Sequence, residues 1–116
     1  MSNALNSAQI AQYQERGYVF PLPALTPAEA AGYRQTIEDF ERGSGLVAGR
    51  VIRNKGHLTL TRLYELSFHP RVLDAVESIL GPDILCWGSS LFVKEGNDPG
   101  FVAWHQDSYY WGLEPD

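Results

Sequence analysis

The 116-residue chain carries 9 Lys+Arg against 14 Asp+Glu, a formal charge of -5, with 44% apolar and 20% charged residues. That composition belongs to one folded domain at most and not to a disordered tail. An acidic balance without a Lys/Arg-rich run argues against nucleic acid or an anionic membrane as the main partner. The single cysteine, Cys86, excludes an internal disulfide framework and a multi-cysteine zinc site. No apolar run approaches the roughly 18 residues of a membrane span. The opening MSNALNSAQIAQYQERG lacks the charged start and apolar stretch of a signal peptide, so a soluble, cytoplasmic location is expected.

The elements follow in chain order. Ser7 is placed to cap a short helix carrying Ile10 and Tyr13 on one face, with Gly17 as its stop. Tyr18-Val19-Phe20 is a β-rich triplet closed by Pro21 and Pro23. Thr26-Pro27-Ala28-Glu29 has the form of a capping box with proline in the first turn. Ala30, Tyr33, Ile37 and Phe40 continue it at helical spacing until Gly43-Ser44-Gly45. Residues 44–57 read as irregular. Leu60, Leu63 and Leu66 predict a short helix, and Pro70 opens another that ends at Gly81-Pro82.

From there the period changes. Ile84 to Trp87 and Leu91 to Val93 read as a buried strand with a Gly-Ser-Ser interruption, and Cys86 within it as a small buried hydrophobe. Asn97-Asp98-Pro99-Gly100 is turn chemistry, and Phe101 to Asp107 read as a second strand. Helices first and strands last make an α+β pattern. The residues from Gly112 to Asp116 are loop-like and add no closing element, so the architecture reads as incomplete.

The chemistry concentrates in Trp104-His105-Gln106-Asp107. Side chains at i and i+2 of a strand share a face. His105 and Asp107 would therefore present an imidazole nitrogen and a carboxylate oxygen together, two-thirds of the 2-His-1-carboxylate triad of non-haem iron(II) oxygenases. His69, before Pro70, reads as a capping or surface residue, and His57 as a satisfied structural histidine. Trp87, Trp104, Tyr109 and Tyr110 read as core or pocket wall.

The stretch from Pro70 to Trp111 resembles the phytanoyl-CoA dioxygenase family of iron(II)/2-oxoglutarate oxygenases. The resemblance rests on a helix ending in Leu80-Gly81-Pro82-Asp83, a strand closing on Phe92-Val93-Lys94, and a strand ending in Trp104-His105-Gln106-Asp107. Gly17-Tyr18-Val19 and the Thr-Pro-Ala-Glu helix start also suit it. It implies a double-stranded β-helix (a cupin-like jelly roll) with helices outside, of which residues 1–116 would be the N-terminal part. Fe(II) and the cosubstrate 2-oxoglutarate are implied, with dioxygen and a small organic substrate as partners.

Carried over, His105 and Asp107 match the first two iron ligands. Lys55 resembles a lysine near the cosubstrate, Ser90 falls where the family lines the 2-oxoglutarate pocket, and Trp111 matches a tryptophan of the substrate pocket in the similar ectoine hydroxylases. Halogenating relatives carry Ala in place of the carboxylate ligand, so Asp107 implies hydroxylation. His57 and His69 precede the motif, and nothing here matches the family's distal histidine or its 2-oxoglutarate arginine. The expectation is therefore a fragment of a hydroxylase; the alternative is an inactive relative acting as a binding or structural module.

Overall fold

A computed structural model describes residues 4–112 of the chain, and for Ser108 and Tyr109 the backbone alone. The first helix, α1 (Ser7–Arg16), starts where expected but is capped by Asn6. Asn6 Oδ1 accepts from the Gln9 N–H at 2.9 Å, and Gln9 Oε1 accepts from the Asn6 N–H at 3.0 Å. The second, α2 (Pro27–Ser44), is the predicted capping box. Thr26 Oγ1 accepts from the Glu29 N–H at 3.2 Å, and Glu29 Oε2 from the Thr26 N–H at 2.6 Å. Gly17 and Gly45 end these helices in the left-handed region, at φ 78° and 70°, where a side chain would be strained.

The segment read as irregular turns out to hold the core. It contains a one-turn helix, α3 (Ala48–Val51), and a 3-10 turn at Gly56–Leu58. Ala48 and Ile52 are buried there with Leu63 of α4 (Thr61–Ser67), and Ile37, Phe40, Leu60 and Leu91 pack around them. Glu41 of α2 accepts the Ala48 N–H at 2.8 Å, which caps α3 from outside its own sequence. Gly56 is required by proximity: a Cβ there would lie 2.6 Å from Ile52 Cγ2 and 3.3 Å from Leu63 Cδ1. Arg62 of α4 stacks 4.6 Å over the Tyr33 ring of α2, tying the two helices.

The last long helix, α5 (Pro70–Leu80), is fastened at both ends. At its start His69 Nε2 and Arg71 Nη1 approach the Glu29 carboxylate at 3.5 and 3.7 Å. Near its end Ser78 Oγ accepts the N–H of the buried Leu5 at 2.9 Å. A groove between α5 and the segment after α1 is lined by Ala75, Val76 and Ile79 on one side and Tyr18, Val19 and Leu22 on the other. Tyr18 and Val19 thus line a groove while Phe20 stays exposed, and the triplet forms no strand.

The expected α+β architecture is corrected here. Among the described residues there is no strand and no sheet, so the first strands of a double-stranded β-helix are not formed; the regular structure is helical. The physical reason lies in pairing. β-branched and aromatic runs mark a residue set that suits a half-buried sheet, but a strand exists only with a lateral partner. Residues 84–107 have no such ladder. The Asn97–Gly100 turn is present, with Asn97 at φ 64° and the Gly100 N–H donating to Asp98 Oδ1 at 2.7 Å. It closes on itself without pairing its flanks. Side chains expected inside are consequently outside: Leu85, Phe92, Phe101 and Trp104 are largely exposed, as is Cys86. The radius of gyration of 16.3 Å exceeds the about 13 Å of a compact chain this long.

Glu29 closes the capping box of α2 and also meets the start of α5, so its ionisation reports chiefly on the α2 cap. The Thr26 N–H and then the Thr26 hydroxyl bond its carboxylate, with His69 and Arg71 adding to them, and its pKa falls from 4.5 to about 2. A depressed folded-state pKa stabilises the fold above the unfolded value and is lost as pH drops through the folded one. Stability should thus decline between pH 4.5 and about 2. Glu29→Gln should flatten that decline in thermal melts taken at stepped pH. An unchanged slope would contradict this assignment.

Candidate functional site

The cleft forms where two distant segments are hydrogen-bonded together. The Gly56 N–H donates to the Ser89 carbonyl at 2.8 Å, and the Leu91 N–H to the Ile52 carbonyl at 3.1 Å. Ser89 Oγ accepts the His57 N–H at 2.8 Å and lies 2.8 Å from the His57 imidazole Nδ1. His57 is buried, and with both groups engaged by one hydroxyl it is the structural histidine expected from its apolar neighbours. These bonds hold residues 89–91 against the 52–57 loop. The loop itself carries Lys55 in a left-handed conformation, φ 55°, at the entry to the 3-10 turn.

Between the joined segments opens a cleft of about 410 Å³, lined by Asn54, Lys55, Trp87, Ser89, Ser90 and Trp111 among others. Three residues singled out in the sequence, Lys55, Ser90 and Trp111, therefore line one space. Trp111 closes it by meeting Trp87 edge-on, with ring centroids 5.3 Å apart. That contact bears out Trp87 as pocket wall. Trp104, expected in a similar role, is fully exposed, and the side chain of Tyr109 lies outside the described residues.

His105 and Asp107 meet directly. His105 Nε2 lies 3.3 Å from Asp107 Oδ1, and Nδ1 lies 2.8 Å from the Ala103 carbonyl. A carbonyl oxygen only accepts, so Nδ1 carries a proton, and Nε2 is the nitrogen left to face the carboxylate. A positive charge at Nε2, proton or metal ion, satisfies this pair. An imidazole whose remote nitrogen is held by a carbonyl is also the usual outer-shell arrangement of a metal-binding histidine. The donor set thus fits two ligands of a first-row divalent transition metal. Among the described residues no group of three His, Cys, Asp or Glu side chains is placed to hold one.

The two halves of the site adjoin along the chain. Residues Ser108–Trp111 form a one-turn helix, α6, starting directly after Asp107, and the Tyr110 N–H returns to the Asp107 carbonyl at 3.0 Å. The Tyr110 ring lies edge-on to the His105 imidazole, centroids 6.4 Å apart. One turn of helix thus separates the His-x-Asp pair from Trp111 in the cleft. His105 and Asp107 themselves do not line it. Sequence reading passed over Ser89 and Asn54; a hydroxyl that serves a histidine 32 positions away leaves no local spacing to detect.

Ser89→Ala should leave the His57 N–H and Nδ1 without their shared partner, at a cost of about 1–3 kcal/mol. Chemical denaturation measures this; a change below about 0.5 kcal/mol, the scale of neutral surface substitutions, would show that the clamp contributes nothing.

Comparison with known proteins bears on the same residues. No curated protein and no solved structure matches the chain. No helix among the described residues is long and apolar enough to cross a membrane. The family model described as Phytanoyl-CoA dioxygenase (PhyH) matches residues 13–116, a span that contains the cleft, α6 and the His105–Asp107 pair. By that match the chain belongs to the phytanoyl-CoA dioxygenase family, whose members are dioxygenases of the iron/2-oxoglutarate type.

Proposed function

We propose that residues 1–116 form part of an iron(II)/2-oxoglutarate-dependent oxygenase domain that hydroxylates a small organic substrate, with release of succinate and carbon dioxide. The observation that carries the reading is the His105 Nε2–Asp107 Oδ1 pair at 3.3 Å with the opposite ring nitrogen fixed by Ala103. Iron bound there would supply activation of dioxygen in the presence of 2-oxoglutarate. The protein's own part is positional. The Ala103 carbonyl fixes the ring orientation and tautomer of His105. Asp107 adds the anionic oxygen and leaves no place for a halide in its stead. Lys55, in the cleft with Ser90, offers an ammonium to a carboxylate of the cosubstrate, and the Ser90 hydroxyl a further hydrogen bond. Trp111 against Trp87 walls the cosubstrate's cleft, where it would meet the near end of a bound substrate. A reducing cytoplasmic setting, which keeps iron ferrous and Cys86 a thiol, goes with this reading.

A second reading draws on the donor count. With two protein ligands and no third among the described residues, metal is held weakly, and the chain would then act as a binding or structural module.

Fe(II) titration tests the first reading. Asp107→Ala should weaken Fe(II) binding by more than the roughly 10–100-fold that an outer-shell partner costs; equal binding by the variant would remove Asp107 from the site. Turnover separates the two readings. Succinate released from 2-oxoglutarate by the 116-residue chain with Fe(II) excludes the module, whereas Fe(II) binding without any succinate favours it.

A further inference from the structure

Asn54 and Ser90 line a second cleft as well, of about 510 Å³, whose other walls are Gly49, Arg53 and the run Leu91-Phe92-Val93. That volume lies within the roughly 300–1,000 Å³ of small-molecule sites. Its electrostatics are unlike those of the chain at large. The whole carries a charge of -5, yet the two adjoining clefts are lined by Arg53 and Lys55 and by no Asp or Glu. Elsewhere Arg34, Arg42, Arg62 and Arg71 each pair with a carboxylate. Among the described residues no carboxylate pairs with Arg16, Arg50 or Arg53, and of these three Arg53 lines the cleft. Its Nε–H instead donates to the Arg50 carbonyl at 3.2 Å, which anchors the guanidinium and leaves its terminal nitrogens to a ligand.

The opposite wall is apolar. Phe92 is 90% exposed, and Val93 half-exposed, so apolar surface faces the cleft from one side and an unpaired cation from the other. Gly49 sets the spacing, since a Cβ at that position would come within 2.9 Å of Val93 Cγ2.

We propose that this second cleft binds a carboxylate-bearing substrate with an apolar body, its carboxylate on Arg53 and its body along Leu91-Phe92-Val93. A guanidinium presents parallel donors that match a carboxylate two-on-two, and one unpaired cation balances one negative charge. This rests on the oxygenase reading for its meaning as a substrate site, with Lys55 and the cosubstrate next door.

Isothermal titration of the chain with decanoate, decanamide and 2-oxoglutarate tests it, using the wild type, Arg53→Gln, Arg53→Lys and Lys55→Gln. Decanoate should bind more tightly than decanamide, by about tenfold, the value of a charge-assisted bond. Arg53→Gln should erase that preference while keeping decanamide binding, which also shows that the variant is folded. Arg53→Lys should retain part of it. Lys55→Gln should weaken 2-oxoglutarate and leave decanoate unchanged. Equal binding of acid and amide, no binding of either, or a preference that survives Arg53→Gln would overturn the proposal, whatever Lys55→Gln does. Loss of the Lys55 effect alone would instead count against the cosubstrate placement and leave the Arg53 site standing.

Discussion

Between α5 and α6 the chain forms no regular element, and its position depends on the hydrogen bonds that Ser89 and Leu91 make to residues 52–57. Ser89 uses both its carbonyl and its hydroxyl, so one residue fixes a backbone path and at the same time satisfies a buried histidine. The loop it grips begins at Ile52, which with Ala48 of α3 makes the core, closed by Leu63 and overlain by Leu91. Structure and site thus share a foundation. The packing that buries Ile52 also presents Lys55 and Asn54 to the cleft, and the bond that aligns Leu91 turns Ser90 toward the same space.

The His105–Asp107 pair is built on different means. His105 is oriented by its own neighbour, the Ala103 carbonyl, and by the Tyr110 ring, and not by deep packing. Asp107 is largely exposed and begins the turn of α6. Such a pair is electrostatically set up for a cation while the surroundings add little rigidity. The helical turn that follows is what relates it to the cleft, because the same four residues carry Trp111 to Trp87. The large apolar surface of residues 84–104 stays in solvent, and the cost of exposing it is consistent with the loose dimensions of the molecule.

How much of this was legible depended on the range of the interaction. Helix α2 could be read in full because its signals are local: Thr26, Pro27, Glu29 and Gly45 act within one turn of where they stand. The one-turn helix at Ala48–Val51 was not, since four residues are too few to show a 3.6-residue period, and its cap comes from Glu41. The strand reading of residues 84–107 failed for the complementary reason. Alternation and β-branching describe side chains, whereas a sheet is made by backbone partners that composition does not reveal. Cys86 was misplaced with it. The pairing of His105 with Asp107 was expected from strand alternation and is found without the strand, the two side chains meeting where the backbone turns into α6. Its family context pointed to Lys55, Ser90 and Trp111, and the shared cleft is where their separate resemblances become one place.

The most direct test of the account is the state of the three histidines on addition of Fe(II), followed by long-range ¹H–¹⁵N correlation spectra of the imidazole rings. Binding at the His105–Asp107 pair predicts that the His105 ring signals broaden first, with Nδ1 still protonated toward Ala103, while His57, held by Ser89, is unaffected. Broadening centred on His57 or His69, or a His105 ring indifferent to the metal, would contradict it.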